Sequence, residues 1–494
     1  MVKKAAPPAT KAKTKAPVED KVDRRPKLDV RAMYNTTLNV IAKRQGFECS
    51  SLDVCPPMST ALLALDLVLG GGIRPCMMTG AGEEQCAKTT VALNVMGAAI
   101  VADIPIIAFV DFEGSTKNSK PYVHNILKGM GIKMTMDQVF GKQDPKTGQY
   151  IIPPRVRYRS EVILERFYDW LAEVLRDLPD KRYVEGKWWL IFDAEDKKKK
   201  AEIEEFIDPV MTRKYGNGWW VPAPDDKLQG IIFVDSYTAM NPEAKDKEEI
   251  SNQLSVKASA FSKQLERVKG RMVQKMVTVY GLNHLRSNPM AMFGPKDSEK
   301  GGKALQQFSD VRMRQVSRSL SAAPFSPKKG KKTFDEQEPS VEFDGLDTYR
   351  YVHLKANKNK LWTPQRECLI RLWTEDADGQ ARGIDPVFDT IYYLKQTGQL
   401  SGTRAGFKLN LDGLGASKKP IPWGYFKKWV LGDKDAMTKI STVLGYKPMS
   451  IRKFCFSQMA KGIGELLYVS TQKAKAGKGE TDDVPSDDDD GDDE

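Results

Sequence analysis

The stretch that most limits what this chain can fold into is residues 76–102, CMMTGAGEEQCAKTTVALNVMGAAIVA. An apolar run, a glycine turn and a helix-length run of small apolar residues follow one another without a break. That order reads as strand, tight loop and helix. A helix leaving the end of a strand crosses back over a sheet before the next parallel strand, so the unit calls for an α/β fold. Two more buried strands of this kind answer it, in IPIIAFVDFEG (104–114) and GIIFVDSYTAM (230–240). A third apolar run, MVTVYGLNHLR (276–286), follows the amphipathic segment SVKASAFSKQLERVKGRMVQK (255–275). Such alternation predicts a mostly parallel twisted sheet covered on both faces.

Within the first unit, Gly82-Glu83-Glu84-Gln85-Cys86-Ala87-Lys88-Thr89 matches the phosphate-binding loop pattern, except that its second glycine is Ala87. The chemistry needs backbone N–H groups wrapped round phosphates, a lysine on the outer phosphates and a hydroxyl on Mg²⁺. Lys88 and Thr89 supply the last two, and Thr90 continues the helix start. A methyl at Ala87 is tolerable with helical dihedrals and costly if φ must be positive. A ligand-free strand-turn-helix is the alternative. Two acids bear on the choice. Asp235 ends the apolar strand IIFV and suits a Walker B carboxylate that holds Mg²⁺ through water. Glu113 follows the strand IIAFVDF, where a general base for an attacking water would stand. Each acid alone could be a strand-end cap or a surface carboxylate. In this order and strand context, the three features together point to a nucleotide site.

With 494 residues, the chain has room for one large domain and one or two small ones. No run approaches the length of a membrane span. The basic start, MVKKAAPPATKAKTKAP, is followed by no apolar signal segment, so a cytoplasmic protein is expected. Six cysteines (Cys49, Cys55, Cys76, Cys86, Cys368 and Cys455) form no CxxC pair and no Cys/His cluster, which argues against a disulfide framework or a zinc site. Charge is uneven. The last fifteen residues hold ten acids and no base, so without them the formal charge rises from +12 to +22. A basic body beside a detachable acidic tail suggests a polyanion-binding surface with an internal competitor, or a tail that merely aids solubility.

The expected organisation is a disordered basic tail (1–28), an N-terminal helical segment that packs on a neighbouring element or subunit (29–57), an ATPase core (58–382), a small C-terminal α/β module (383–470) and a disordered acidic tail (471–494). The core is interrupted twice. Residues 179–226 read as an insertion whose tryptophans (Trp188, Trp189, Trp219, Trp220) pack a local core rather than bind bases, and 326–338 as a mobile loop.

From Met58 to Gln399, apart from the insertion, the sequence resembles the RecA family of recombinases, including those of large bacterial viruses. The resemblance rests on LDLVLGGGI, GEEQCAKTT, FVDFEG, IIFVDSYTAMNPEA, NHLRSNPMAMFGPKDSEKGGKALQQFSDVRMR and KANKNKLWTP. The long match through GGKAL is far more specific than the phosphate loop. The resemblance implies ATP with Mg²⁺, held by Lys88, Thr89 and Asp235, with Glu113 activating water. It sets Tyr122 to stack on adenine, at a longer spacing from Glu113 than the family shows. It sets His284, where the family carries a glutamine, to sense the γ-phosphate; its charge would make that switch pH-dependent, though a strand-end histidine is the plain alternative. Lys358 and Lys360 match a pair that reaches ATP across the subunit interface, comparable with an arginine finger, unless they form only a solvated turn. Gln306 stands where the family often has an interface lysine.

The same resemblance implies two DNA-facing loops. The first, near 242–253, matches poorly. The second, 286–307, has a suitable character. Lys300 and Lys303 add charge, and Gly301 and Gly302 admit phosphate backbone. Met290, Met292 and Phe293 can wedge or stack, although Phe293 could instead anchor the loop. Arg286 and Arg312 flank it, and Lys257 aligns with a basic DNA contact. The implied function is an ATP-dependent helical filament on single-stranded DNA that pairs it with homologous duplex DNA and exchanges strands. Self-association and a single-strand-binding protein or loader are the implied partners, without a membrane. Two other readings share the fold: a hexameric helicase or packaging motor, and a mediator or structural filament with little ATP turnover.

Overall fold

The computed structural model describes residues 55–243, 253–287, 297–299, 302–318, 348–375, 383–403, 406–411, 415–417, 420–438 and 449–460. The first elements are α1 (Leu63–Leu69), β1 (Met77–Gly82), α2 (Lys88–Val101) and β2 (Ile106–Asp111). Helices α3 (Ser115–Asn118), α4 (Lys120–Gly129) and α5 (Met136–Phe140) lead through a hairpin, β3 (Lys142–Gln143) and β4 (Tyr150–Ile152), to β5 (Arg157–Ser160) and α6 (Leu164–Asp177). An excursion follows, with β6 (Asp180–Val184), β7 (Lys187–Phe192), α7 (Lys197–Ile203), α8 (Pro209–Tyr215) and β8 (Trp219–Pro222). The chain then returns through β9 (Gly230–Asp235), α9 (Gln253–Gln274), β10 (Val277–Ser287), β11 (Asp297–Glu299), α10 (Gly302–Phe308), β12 (Val311–Arg318), β13 (Thr348–Asn359), β14 (Glu367–Glu375) and β15 (Gly383–Ile384). It ends with α11 (Pro386–Gln396), β16 (Leu400–Thr403), β17 (Gly406–Leu411), β18 (Gly415–Ala416), α12 (Trp423–Val430) and α13 (Ile451–Ala460).

One sheet organises these elements, in the order β15-β14-β13-β12-β1-β10-β9-β2-β5 with β11 attached to β10. The six strands from β12 to β5 run parallel; β13 to β15 turn back antiparallel. β1, built of Met and small residues, and β9, with its Ile and Val run, are buried at every residue, as strands covered on both faces must be. Alternate residues feed two cores. Met78, Phe109, Phe233 and Tyr280 point to one, with α1, α2, α4 and α11. Met77, Val110, Val234 and Val279 point to the other, with α6, α9 and α10. Each fully buried large apolar side chain contributes roughly 1.5–3 kcal/mol. The α/β architecture with a large, mostly parallel sheet is the one the sequence predicts.

The boundary expected at 383 falls inside this sheet. Strand β15 pairs with β14, and α11 packs on α1. The Asp389 carboxylate on α11 accepts the backbone N–H groups of Leu63 and Ala64, both at 2.9 Å, and so caps α1 across the chain. Arg452 of α13 donates to the same carboxylate at 2.6 Å. The later helices therefore complete the core that the first ones open. Within 179–226, Trp189 and Trp220 meet edge to face, with Val184, Ile191 and Met211 around them, whereas Trp188 packs against the main core. The expected tails, almost all of segment 29–57 and the loop at 326–338 lie outside the described residues. Among the described residues, no helix is long and apolar enough to cross a membrane, and the five cysteines there are buried and unpaired.

Candidate nucleotide and DNA site

Four neighbouring parallel strands, β1, β10, β9 and β2, end at one edge of the sheet, where ligands of open α/β sheets bind. Their registers bring the site together: Gly82 lies level with His284, and Asp111 with Asp235. The loop after β1 is tight. A Cβ at Gly82 would lie 2.3 Å from the Cys86 sulfur and 2.5 Å from the Gln315 carbonyl oxygen, so only glycine fits. Gln85 (φ 57°) and Ala87 (φ 62°) are left-handed, the kind of turn that lets successive N–H groups face one concavity. Ala87 therefore has the conformation in which its methyl is costly. The Lys88 ammonium is buried and donates to the carbonyls of Gly82 (3.1 Å) and Glu83 (2.5 Å), inside the curl of the loop.

The metal position can be tested on its donors. The Thr89 hydroxyl donates to the Asp235 carboxylate at 2.9 Å, so hydroxyl and carboxylate face each other at the start of α2. Burial, then the neighbouring Glu113 charge, pushes the Asp235 carboxyl up to about 6. Among the described residues no three Asp, Glu, His or Cys side chains cluster as a metal cage. One carboxylate and one hydroxyl suit Mg²⁺, which takes its remaining ligands from water and phosphate.

Glu113 and His284 meet directly. Glu113 Oε1 lies 3.1 Å from His284 Nε2 and accepts the Ser236 hydroxyl at 2.5 Å. The His284 contact, ahead of the Ser236 bond, outweighs burial and holds the Glu113 carboxyl below its usual range. Asp111 and Ser236 had no role in the sequence reading. Asp111 is fully buried and accepts N–H groups from Glu113, Gly114 and Thr116 and the Tyr158 hydroxyl. It builds the turn that carries Glu113. An Asp followed by Gly and Ser/Thr is a turn signal that could have found it. The Tyr122 ring is packed against the core, with its hydroxyl 2.5 Å from the Thr90 hydroxyl; it flanks the loop helix.

The expected DNA-binding residues fall in several places. Arg286 lies in β10, where Leu285–Ser287 pair with β11 to form a hairpin rooted one residue beyond His284. Met290, Met292, Phe293, Lys300 and Gly301 lie outside the described residues. Gly302 opens α10, and Lys303 is exposed on it. Lys257, on α9, donates to the Thr238 carbonyl at 2.7 Å. Arg312 does not flank the hairpin. It pairs across the ladder with Lys358, because α10 carries the chain back before β12 begins. Lys358 donates to the carbonyls of Gln306 and Gln307 at the end of α10, where a cation meets the negative pole of a helix. Burial, then the nearby Lys360 and Arg312 charges, lowers its pKa. Asn359 is level with Val311, and Val311 with Met78, so Lys360 stands near the far end of β1 from the loop. That is about 13 Å along the strand from Gly82, at roughly 3.3 Å per residue, beyond a lysine's reach.

Comparison with known proteins supports the core. Residues 227–333 match the family described as the RecA N-terminal domain. Protein RecA of Mesoplasma florum is 26% identical over 211 residues, 42% of this chain and 54% of that one. Protein RecA of Thermus aquaticus is 24% identical over 237 residues, 44% of this chain and 62% of that one. Protein RecA of Mycoplasma mycoides subsp. mycoides SC reaches 34% over 130 residues, 23% and 38% of the two chains. The chain thus spans less than two thirds of each of these relatives. A crystal structure of the RadB recombinase aligns with 66% of this chain and 98% of its own, at 15% identity and a TM-score of 0.34, too loosely to carry an argument.

Proposed function

We propose that this chain is an ATP-dependent recombinase of the RecA kind, which forms a helical filament on single-stranded DNA and pairs it with homologous duplex DNA. The observation that carries the reading is the direct contact of His284 with Glu113, one residue from the hairpin that β10 and β11 form. A residue that touches the carboxylate and adjoins the first pair of the β10–β11 hairpin can tie ATP state to what that hairpin holds. Distant similarity to three RecA proteins supports the same reading.

In this reading the loop N–H groups and Lys88 bind the phosphates and move no proton. Thr89 and Asp235 hold Mg²⁺, which when bound neutralises phosphate charge. Glu113, ionised at neutral pH, accepts a proton from the attacking water, and Ser236 fixes the carboxylate's direction. His284 is positioned to exchange its contact with Glu113 for one with the terminal phosphate, which shifts the strand end and the hairpin together. Lys358 and Lys360, out of reach of their own loop, serve the site of a neighbouring subunit. Phosphate contacts and stacking in the hairpin segment would bind any sequence.

ATP hydrolysis measured with and without mixed-sequence single-stranded DNA tests this, with Glu113→Gln as control. Strong stimulation, abolished by the substitution, is the expected result; absence of DNA binding in either nucleotide state would overturn the reading. The left-handed Ala87 favours one second reading, a filament-forming paralogue with little turnover. DNA binding with negligible hydrolysis would select it.

A further inference from the structure

We propose that Thr238, which plays no part in the mechanism above, is a positioning residue that couples DNA engagement at α9 to the hydrolytic carboxylate; the inference rests on the recombinase reading. The turn after β9 is held from several sides. Ser236 donates to Glu113. The Tyr237 N–H donates to the Leu282 carbonyl at 2.9 Å, and the Tyr237 ring fills the space beside Gly281, where a Cβ would lie 2.0 Å from it. Thr238 then makes contacts in two directions. Its hydroxyl donates to the buried Asn283 Oδ1 at 2.8 Å and accepts the His284 backbone N–H at 3.0 Å. Its carbonyl accepts the Lys257 ammonium at 2.7 Å.

The path is short and polar throughout: Lys257 to the Thr238 carbonyl, the Thr238 hydroxyl to the backbone of His284, and the His284 imidazole to Glu113. The hydroxyl has two jobs that no apolar side chain can do. It gives the His284 N–H an acceptor on the neighbouring turn, and it fixes the Asn283 amide, which is the other acceptor of that same N–H. A lysine drawn towards a DNA phosphate would release or pull the Thr238 carbonyl. The turn would then shift against the strand end that aims His284 at Glu113.

The test uses the full chain and reads ATP hydrolysis with and without mixed-sequence single-stranded DNA. Thr238→Val keeps the shape and removes the hydroxyl. It should lower DNA-stimulated kcat roughly tenfold, within the range single residues carry in such coupling, while KM for ATP stays within about twofold. Thr238→Ser should restore stimulation to within about twofold. Lys257→Met should reduce it too, and the double variant should be no worse than the weaker single, because both act on one path. Wild-type-like stimulation in Thr238→Val would overturn the proposal. So would a Thr238→Ser as impaired as the valine variant, or multiplying effects in the double. Where valine is not accommodated and the protein fails to fold, Thr238→Ala enters the same comparison. A wild-type chain that hydrolyses no ATP with DNA would instead defeat the recombinase reading itself, and this inference with it.

Discussion

Replacing Ala87 by glycine should stabilise the protein without improving its grip on ATP. Ala87 sits at φ 62° and ψ 28°, at the N-cap of α2. A left-handed backbone costs a residue with a Cβ about 1–2 kcal/mol. Glycine removes that cost but gives the unfolded chain more freedom, worth about 0.4–1 kcal/mol in the other direction. The net gain is about 0.5–1 kcal/mol. The strain belongs to the loop shape that would wrap the phosphates, so free and bound states both carry it, and affinity should change less than about threefold. Ala87→Val makes the opposite change. A β-branched residue is poorly tolerated at positive φ, and a further cost of about 1–2 kcal/mol would weaken ATP binding about 5- to 30-fold if the loop leaves its shape to relieve it. Denaturant titration and binding of a fluorescent ATP analogue measure the two quantities. A destabilised glycine variant, or a valine variant that binds like the wild type, would show that the left-handed turn is not what the loop uses.

Other perturbations separate structure from chemistry. Asp385 is fully buried, accepts Arg371 at 2.8 and 2.5 Å and caps α11 through the Val387 N–H; Asp385→Ala should cost about 3–5 kcal/mol by leaving Arg371 uncompensated, and a shift under about 1 kcal/mol in urea unfolding would contradict that. Burial, despite bonds from Ser59 and Thr60, pushes the Asp66 carboxyl up to about 7. Its folded value is above its unfolded one, so its stability contribution is full below about 4 and lost as pH rises through about 7; wild type should therefore lose stability relative to Asp66→Asn between pH 5 and pH 8, and the reverse slope would refute the burial argument. An equal mixture of Glu113→Gln with the Lys358→Met/Lys360→Met double variant should hydrolyse ATP faster than either alone. In random head-to-tail assembly about a quarter of interfaces regain both halves of the site, and a mixture no more active than its parts would place the lysines outside the reaction.

The legible and illegible parts of the site differ in how local their causes are. The phosphate loop, Asp235 and Glu113 could be read because each follows an apolar run within one segment, and the strand signal fixes which way the end points. The four-strand edge that gathers them followed from the parallel alternation. Asp111 and Glu113 stand two residues apart on the same strand end, and only the turn signal after Asp111 marks it as the one that builds the turn. That distinction rests on the N–H groups of Glu113, Gly114 and Thr116, which all point to Asp111. Thr238 was hidden, since its partners lie 45 and 46 residues ahead on another strand. Arg312 was misjudged by proximity in sequence. Helix α10 separates it from the hairpin and delivers it to Lys358. The C-terminal boundary blurred because Asp389 caps a helix more than 300 residues before it.

The distribution of charge over the sheet bears on why a chain like this would act only in assemblies. The loop, Asp235, Glu113 and His284 occupy the ends of β1, β9, β2 and β10, whereas Lys358 is level with the first half of β1 and Lys360 follows the end of β13, two ladders away. On the proposed reading a single subunit binds nucleotide with Lys88 but holds Lys358 and Lys360 away from its own loop. Head-to-tail stacking would bring these lysines to the next subunit's loop, and such contacts propagate rather than close. On the proposed reading, hydrolysis then becomes a property of the interface. Anything that lengthens the filament, single-stranded DNA above all, would raise turnover by completing sites as well as by tuning them through Thr238. The prediction is specific: hydrolysis per DNA-bound subunit should be constant along a titration with DNA, and should fall only when strands are too short to hold two neighbours.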